Sequence, residues 1–217
     1  TAIMLFKLIG EISHKIGITF EFVNVGGGIG IPYKASQKAV DIEKVSRGIQ
    51  KAYAIHILKK GLSPLKIYME SGRLITGPYG YLVTTVLHLK NIYKQYVGVD
   101  ATMANLMRPG MYGAYHHITI LGKENAPKRG TYDVTGSLCE NNDKWAKQRE
   151  MPEVHPDDLV VIHDAGAHGI AMANEYNGQL GAKELLLRPD GSVLEIRRAR
   201  TMDDYFSTIV NFPGFNS

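Results

Sequence analysis

Cysteine and tryptophan each occur once in the 217 residues, and no apolar run approaches the roughly 20 residues of a membrane-spanning helix. A single cysteine excludes an internal disulfide framework, so nothing points to secretion and a soluble, cytoplasmic protein is expected. It also leaves Cys139 two readings: the small buried hydrophobe that free cysteines usually are, or a reactive thiol. Charge of one sign is lacking too, since 25 Lys and Arg face 21 Asp and Glu for a net +4. The cations are scattered, with short doublets such as Lys59-Lys60 and Arg197-Arg198, and form no stripe interleaved with aromatics. That excludes nucleic-acid binding. A few cations aimed at an anionic cofactor or a carboxylate substrate explain the sign equally well. His116, His117, His155 and His163 match no zinc spacing, and no metal is assigned.

What is present is enough apolar content, 44%, for a real core in one large or two small domains. The opening segment is apolar with helical periodicity and lacks a cleavage pattern, which predicts a helix over residues 2–15 of a folded domain. It starts at Thr1 without an initiator Met or a cap, and the expectation is a piece of a longer protein. A strand over 18–25 follows, then an amphipathic helix from Ser36 with Ile42, Val45, Ile49, Ala52 and Leu58 on its apolar face and Gly61 as its stop. A short strand over 65–69 ends at Glu70-Ser71-Gly72-Arg73. This alternation is the grammar of a parallel α/β barrel or doubly wound sheet. Beyond Gly77-Pro78 the pattern turns β-rich, with strands predicted over 81–90, 93–100, 115–121, 132–137, 158–163, 184–188 and 193–200. Pro189-Asp190-Gly191 is a hairpin signal between the last two. The expected organisation is an α/β segment over 1–77 and an antiparallel β-barrel or sandwich over 78–217.

The run Val25-Gly26-Gly27-Gly28-Ile29-Gly30, directly after the first predicted strand, carries the most information. Glycines at a strand end let backbone N–H groups converge on an anion such as phosphate, although a tight βα turn uses the same residues. Further clusters follow in order: Glu70-Ser71-Gly72-Arg73, Arg108-Pro109-Gly110-Met111-Tyr112, Gly136-Ser137-Leu138-Cys139-Glu140 and Gly166-Ala167-His168-Gly169. Read alone, Glu70 with Arg73 is a surface ion pair, Arg108 a solvated charge, Tyr112 a core aromatic and His168 a helix-start histidine. Met172, Tyr176 and Asn177 read as packing residues of a short helix.

Together these clusters resemble the fold-type III pyridoxal-phosphate decarboxylases, most of all the diaminopimelate decarboxylases, over nearly the whole chain but only the C-terminal half of the family's usual protein. The resemblance implies the last part of a (β/α)8 barrel that binds pyridoxal 5'-phosphate, followed by a β-domain. It implies that Gly27 and Gly28 approach the cofactor phosphate, that Glu70 faces the cofactor, that Gly72 admits close backbone, and that Arg73 meets the phosphate region and a substrate carboxylate. Arg108 and Tyr112 are implied to hold the distal part of an amino-acid substrate. Cys139 is implied to be the proton donor, delivered across a homodimer interface, and Glu140 the partner of the substrate's distal ammonium. An ordinary thiol pKa of about 8.5 suits that donor. His168 stands where the family commonly has Tyr, and a polar contact near the phosphate is expected of it. Ser71 stands where Pro is usual. The lysine that holds the cofactor lies, in the family, on an early barrel strand; Lys7, Lys15 and Lys34 lack its context, so half a site and no activity are expected of these residues alone. Decarboxylases of ornithine, arginine or carboxynorspermidine, and a catalytically dead regulatory relative, are the competing readings.

Overall fold

The computed structural model describes residues 1–210. The chain divides into two compact units, one over Thr1–Tyr79 and one beginning at Gly80.

The first unit runs α1 (Ala2–Ile16), β1 (Phe22–Asn24), α2 (Ile42–His56), β2 (Lys66–Tyr68) and α3 (Gly72–Thr76). On α1 the buried positions Phe6, Ile9, Gly10 and Ser13 recur at helical spacing, and Gly17 ends the helix in the left-handed region at φ 72°. Helix α2 begins later than its sequence predicts. The Asp41 side chain accepts the Lys44 N–H, which makes Asp41 the N-cap. Upstream, the Gln37 side chain takes the Tyr33 and Lys34 amides and holds that stretch as a turn. Strands β1 and β2 pair in parallel with Val23 opposite Ile67. Phe6, Ile9, Val23, Ala52, Ile57 and Leu65 form the core of this unit. A fully buried side chain such as Phe6 contributes roughly 1.5–3 kcal/mol. Tyr53 meets Phe6 edge-on and accepts the Leu65 N–H at 2.9 Å, which fixes the entry of β2.

The second unit contains β3 (Leu82–Asn91), β4 (Gln95–Val99), α4 (Arg108–Tyr112), β5 (Ile118–Ile120), β6 (Gly130–Thr135), β7 (Lys144–Met151), β8 (Leu159–Ile162), β9 (Glu184–Leu187), β10 (Val193–Arg197) and α5 (Met202–Phe206). Six strands form one sheet in the order β5-β8-β3-β4-β6-β7. Arg149 on β7 donates to the carbonyl of His116, just before β5, so the two outer strands approach each other and the sheet is barrel-like. It is mixed, whereas the sequence predicts an antiparallel one: β4 pairs with β6 in parallel, Val97 opposite Val134. The long excursion between them, carrying α4 and β5, provides the crossover that parallel pairing needs. Its core holds Val86, Val97, Val99, Leu106, Ile120, Val134, Trp145 and Ile162.

Strand β7 has no counterpart among the predicted strands. Its sequence, Lys-Trp-Ala-Lys-Gln-Arg-Glu-Met, does not alternate, because a bulge interrupts it: Gln148 has φ 47° and gives its N–H to Asp133 at 2.6 Å. The hairpin at Pro189-Asp190-Gly191 forms as expected, with Gly191 at φ 82° and Asp190 accepting the Ser192 N–H.

Candidate functional site

In the first unit the glycine bend and the Glu70 element meet through their backbones. The Glu70 N–H donates to the Gly26 carbonyl at 3.0 Å, and a Cβ at Gly27 would lie 2.2 Å from the Glu70 carbonyl oxygen, so only glycine fits there. Gly26 and Gly28 have φ 76° and 85°, which L side chains rarely adopt, and open space lies beside Gly28. Among the described residues, no hydrogen bond uses the amides of Gly27, Gly28, Ile29 or Gly30. Such a strand-end bend is chemically fit to receive a phosphate. Glu70 and Arg73 form no ion pair, contrary to their isolated reading. The Glu70 carboxylate takes the Asn24 side-chain amide instead, and Asn24 also caps the Gly26 N–H at 2.8 Å. Arg73 sits on α3, one residue beyond Gly72, with a buried Nε that has no hydrogen-bond partner among the described residues. A buried guanidinium nitrogen without a partner is costly, and an anionic ligand would relieve it.

In the second unit the loop from Thr102 to Met107 ties the remaining segments together. Its far end starts α4, which carries Arg108 and Tyr112, with Pro109 in the first turn and Gly113 ending it at φ 61°. The burial of the pair inverts the isolated reading: Arg108 is 8% exposed and Tyr112 63%. The Cys139-Glu140 turn joins the loop through Asp143, whose buried carboxylate accepts the Leu138 N–H at 2.8 Å and the Met103 N–H at 2.7 Å. A Cβ at Gly136 would collide with that carboxylate, and one at Gly110 would lie 2.7 Å from the Asn142 carbonyl, so α4 and the turn are in close contact. The Cys139 thiol is exposed, and Glu140 accepts the Asn142 N–H. Burial pushes the Asp143 carboxyl above its ordinary range, against the lowering effect of the two amides.

The Gly166-Ala167-His168-Gly169 turn reaches the same loop by way of Asn174, whose N–H donates to the Ala104 carbonyl at 3.1 Å and whose side chain meets the Met107 sulfur. His168 is held at φ 62° with a buried Nδ1 that lacks a partner among the described residues. Left-handed backbone is uncommon for a non-glycine residue, and Gln148, Asp157, Asp164 and Asn177 share it. Tyr176 and Asn177, expected to pack, are exposed, while Met172 is half-buried.

The most informative residue that the sequence reading passes over is His116. It is fully buried, with Nε2 2.8 Å from Arg108 Nη1 and Nδ1 2.8 Å from the His163 carbonyl. Only its place shortly after Arg-Pro-x-x-Tyr signals it. A separate cavity of about 440 Å³ in this unit is lined by Arg197, Arg198, Arg200, Glu175 and Asp204 and by none of the expected site residues. Its guanidiniums pair with Glu184, Asp204 and Glu175.

Comparison with known proteins finds related sequences and structures. The chain is 44% identical over 201 residues to Protein TabA of Pseudomonas amygdali pv. tabaci, covering 92% of this chain and 46% of that protein. It is 34% identical over 200 residues to diaminopimelate decarboxylase of Methanothermobacter thermautotrophicus, with the same coverage of 92% and 46%. The chain thus spans about half the length of the curated relatives it matches. The crystal structure of diaminopimelate decarboxylase from M. jannaschii in complex with L-lysine superposes with a TM-score of 0.86 at 31% identity, over 98% of this chain and 48% of that one. Residues 33–166 match the family model described as pyridoxal-dependent decarboxylase, C-terminal sheet domain. The chain belongs to the pyridoxal-dependent decarboxylases, whose cofactor is pyridoxal phosphate.

Proposed function

We propose that this chain is the C-terminal portion of a diaminopimelate decarboxylase, a carboxy-lyase that converts meso-diaminopimelate to L-lysine and carbon dioxide in lysine biosynthesis. Residues 1–77 are read as the end of the cofactor-binding α/β barrel and residues 78–217 as the β-domain. When bound, pyridoxal phosphate supplies the electron sink that stabilises the carbanion left by carbon dioxide. The protein's residues bind, orient and protonate. The bend at Gly27 and Gly28 takes the phosphate on backbone amides, Gly72 leaves room beside it, and Arg73 adds the cationic fork that its buried Nε leaves wanting. Glu70 faces the cofactor, steadied by Asn24. His168 keeps a polar contact as an imidazole in place of a phenol, its Nδ1 having no partner among the described residues.

Arg108 and Tyr112 hold the distal end of the substrate, and Glu140 receives its distal ammonium. Cys139 returns a proton to the substrate carbon, which its exposed position allows in a neighbouring subunit of a homodimer. The observation that carries this reading is the anchoring of the Cys139-Glu140 turn and the Arg108 helix to one loop through the Asp143 carboxylate. The test is carbon dioxide release by the full-length, pyridoxal-phosphate-loaded protein offered meso-diaminopimelate, ornithine, arginine or carboxynorspermidine in turn. Release from diaminopimelate alone is expected; release from another of them instead removes the substrate assignment.

One second reading is a decarboxylase of this family acting on a different amino acid, since the relative of higher identity, Protein TabA, is not named as a diaminopimelate decarboxylase. Cofactor binding without turnover of any of the four substrates is its signature.

A further inference from the structure

We propose that His116 is a positioning residue that holds the Arg108 guanidinium as a neutral imidazole in its Nδ1–H tautomer, suspended from the His163 carbonyl. The inference rests on the substrate-holding role proposed above for Arg108. The chemistry of the contacts fixes the protonation state. Arg108 Nη1 and His116 Nε2 are 2.8 Å apart, and His116 Nδ1 and the His163 oxygen are 2.8 Å apart. A guanidinium only donates and a carbonyl only accepts, so Nε2 must offer its lone pair and Nδ1 must carry the proton. An imidazolium would set N–H against N–H at Nε2.

The frame around this relay is tied on each side. The His116 carbonyl accepts Arg149 Nη1 at 3.1 Å, and the His163 N–H donates to the His117 carbonyl at 2.9 Å, extending the β5–β8 ladder. The His163 ring lies 2.9 Å from Thr119 Oγ1 through Nε2 and meets Tyr81 edge-on. The residue whose carbonyl orients His116 is therefore itself held by His117, Thr119 and Tyr81. Arginine has a long side chain with many rotamers, and ordering it on binding is expensive. Fixing Nη1 in a buried, charge-assisted hydrogen bond removes that cost before the substrate arrives.

The two nitrogens can be separated by reach. Glutamine sets its carbonyl oxygen near the Nε2 position, so His116→Gln keeps an acceptor for Arg108. Asparagine reaches only the Nδ1 position, so His116→Asn keeps the His163 contact and loses Arg108. For the full-length, cofactor-loaded enzyme with meso-diaminopimelate, His116→Asn is expected to raise KM by about 10-fold or more with kcat within about 3-fold, while His116→Gln stays within about 3-fold on both. Both variants remove the same buried ring, so a purely structural role moves their melting temperatures and kinetics together, and equal KM values overturn the proposal. A second readout does not depend on turnover: 15N spectra of histidine-labelled protein, with His116 assigned by its loss in the Gln variant. A neutral Nδ1–H pattern supports the proposal, and an Nε2–H tautomer or an imidazolium overturns it. Absence of diaminopimelate turnover together with the Nδ1–H pattern removes the substrate assignment and leaves the positioning intact.

Discussion

The Asp143 carboxylate binds the Leu138 N–H with one oxygen, at 2.8 Å, while its other oxygen binds the Met103 N–H. A single buried side chain thereby sets the Cys139-Glu140 turn against the loop that leads to Arg108. Asp143→Ala leaves both amides without their acceptor and is expected to destabilise the protein by about 1–3 kcal/mol for each amide that stays buried. Urea denaturation of the parent and the variant measures this. The pH dependence has a definite sign. Burial raises the folded-state pKa of Asp143 above its unfolded value, so the group's contribution is most favourable below the unfolded pKa and declines as pH rises through the folded one. The stability advantage of the parent over Asp143→Asn is therefore expected to shrink from pH 4 upward.

Gly27 and Gly28 resist a side chain for different reasons. Gly27→Ala forces a Cβ into the Glu70 carbonyl, 2.2 Å away, and displaces backbone at the proposed phosphate cradle. The expected cost is about 1–3 kcal/mol, with pyridoxal phosphate affinity falling by about 10-fold or more. Gly28→Ala meets open space but keeps φ 85°, so about 1–2 kcal/mol of backbone strain is expected without a collision. Gly30→Ala, with neither problem, is the control. Cofactor titration by absorbance separates the three.

Cys139 is exposed, so iodoacetamide is expected to alkylate it in the native protein. Cys139→Ser is expected to change stability by less than about 0.5 kcal/mol and to lower kcat by about 10²–10⁴-fold, the range for loss of a positioned proton donor. Unchanged kcat would end the assignment of Cys139 as that donor.

At the start of α5, the Arg198 guanidinium and the Thr201 amide hold the Asp204 carboxyl far below the usual carboxylate range. The same carboxyl completes a capping box with Thr201. A depressed folded-state pKa contributes stability above the unfolded pKa that is lost as pH falls through the folded one. Arg198→Ala is expected to return the Asp204 titration toward ordinary values and to shift fraying of α5 to higher pH. Carboxyl-carbon NMR titration follows both.

Much of this was legible in the sequence wherever one residue's chemistry suffices. Pro189-Asp190-Gly191 makes its hairpin because local backbone preference decides that point, whereas Gly61, read as the stop of the amphipathic helix, ends a short 3-10 turn over Leu58–Lys60 beyond α2, which already stops at His56. The end of β1 in a glycine bend follows from the same backbone preference as the hairpin. Strand β7 escaped because the Gln148 bulge breaks its alternation, and the parallel pairing of β4 with β6 depends on partners distant in the chain. The burial of Arg108 and exposure of Tyr112 run against residue type; the buried guanidinium is met by the His116 ring, a partner that hydrophobicity does not reveal. His116 itself has only its place shortly after Arg-Pro-x-x-Tyr to signal it. Its meaning comes from a carbonyl on β8's far end, which no local pattern encodes.

Strand β3 pairs on one side with its immediate neighbour β4 and on the other with β8, which begins only at Leu159. During synthesis on the ribosome, Leu82 to Thr85 therefore wait with a naked edge while more than seventy further residues are translated. An unpaired, partly apolar edge is a template for intermolecular association. Nascent chains stalled before Leu159 should be the ones that chaperones capture, and release should coincide with emergence of the segment through Ile162.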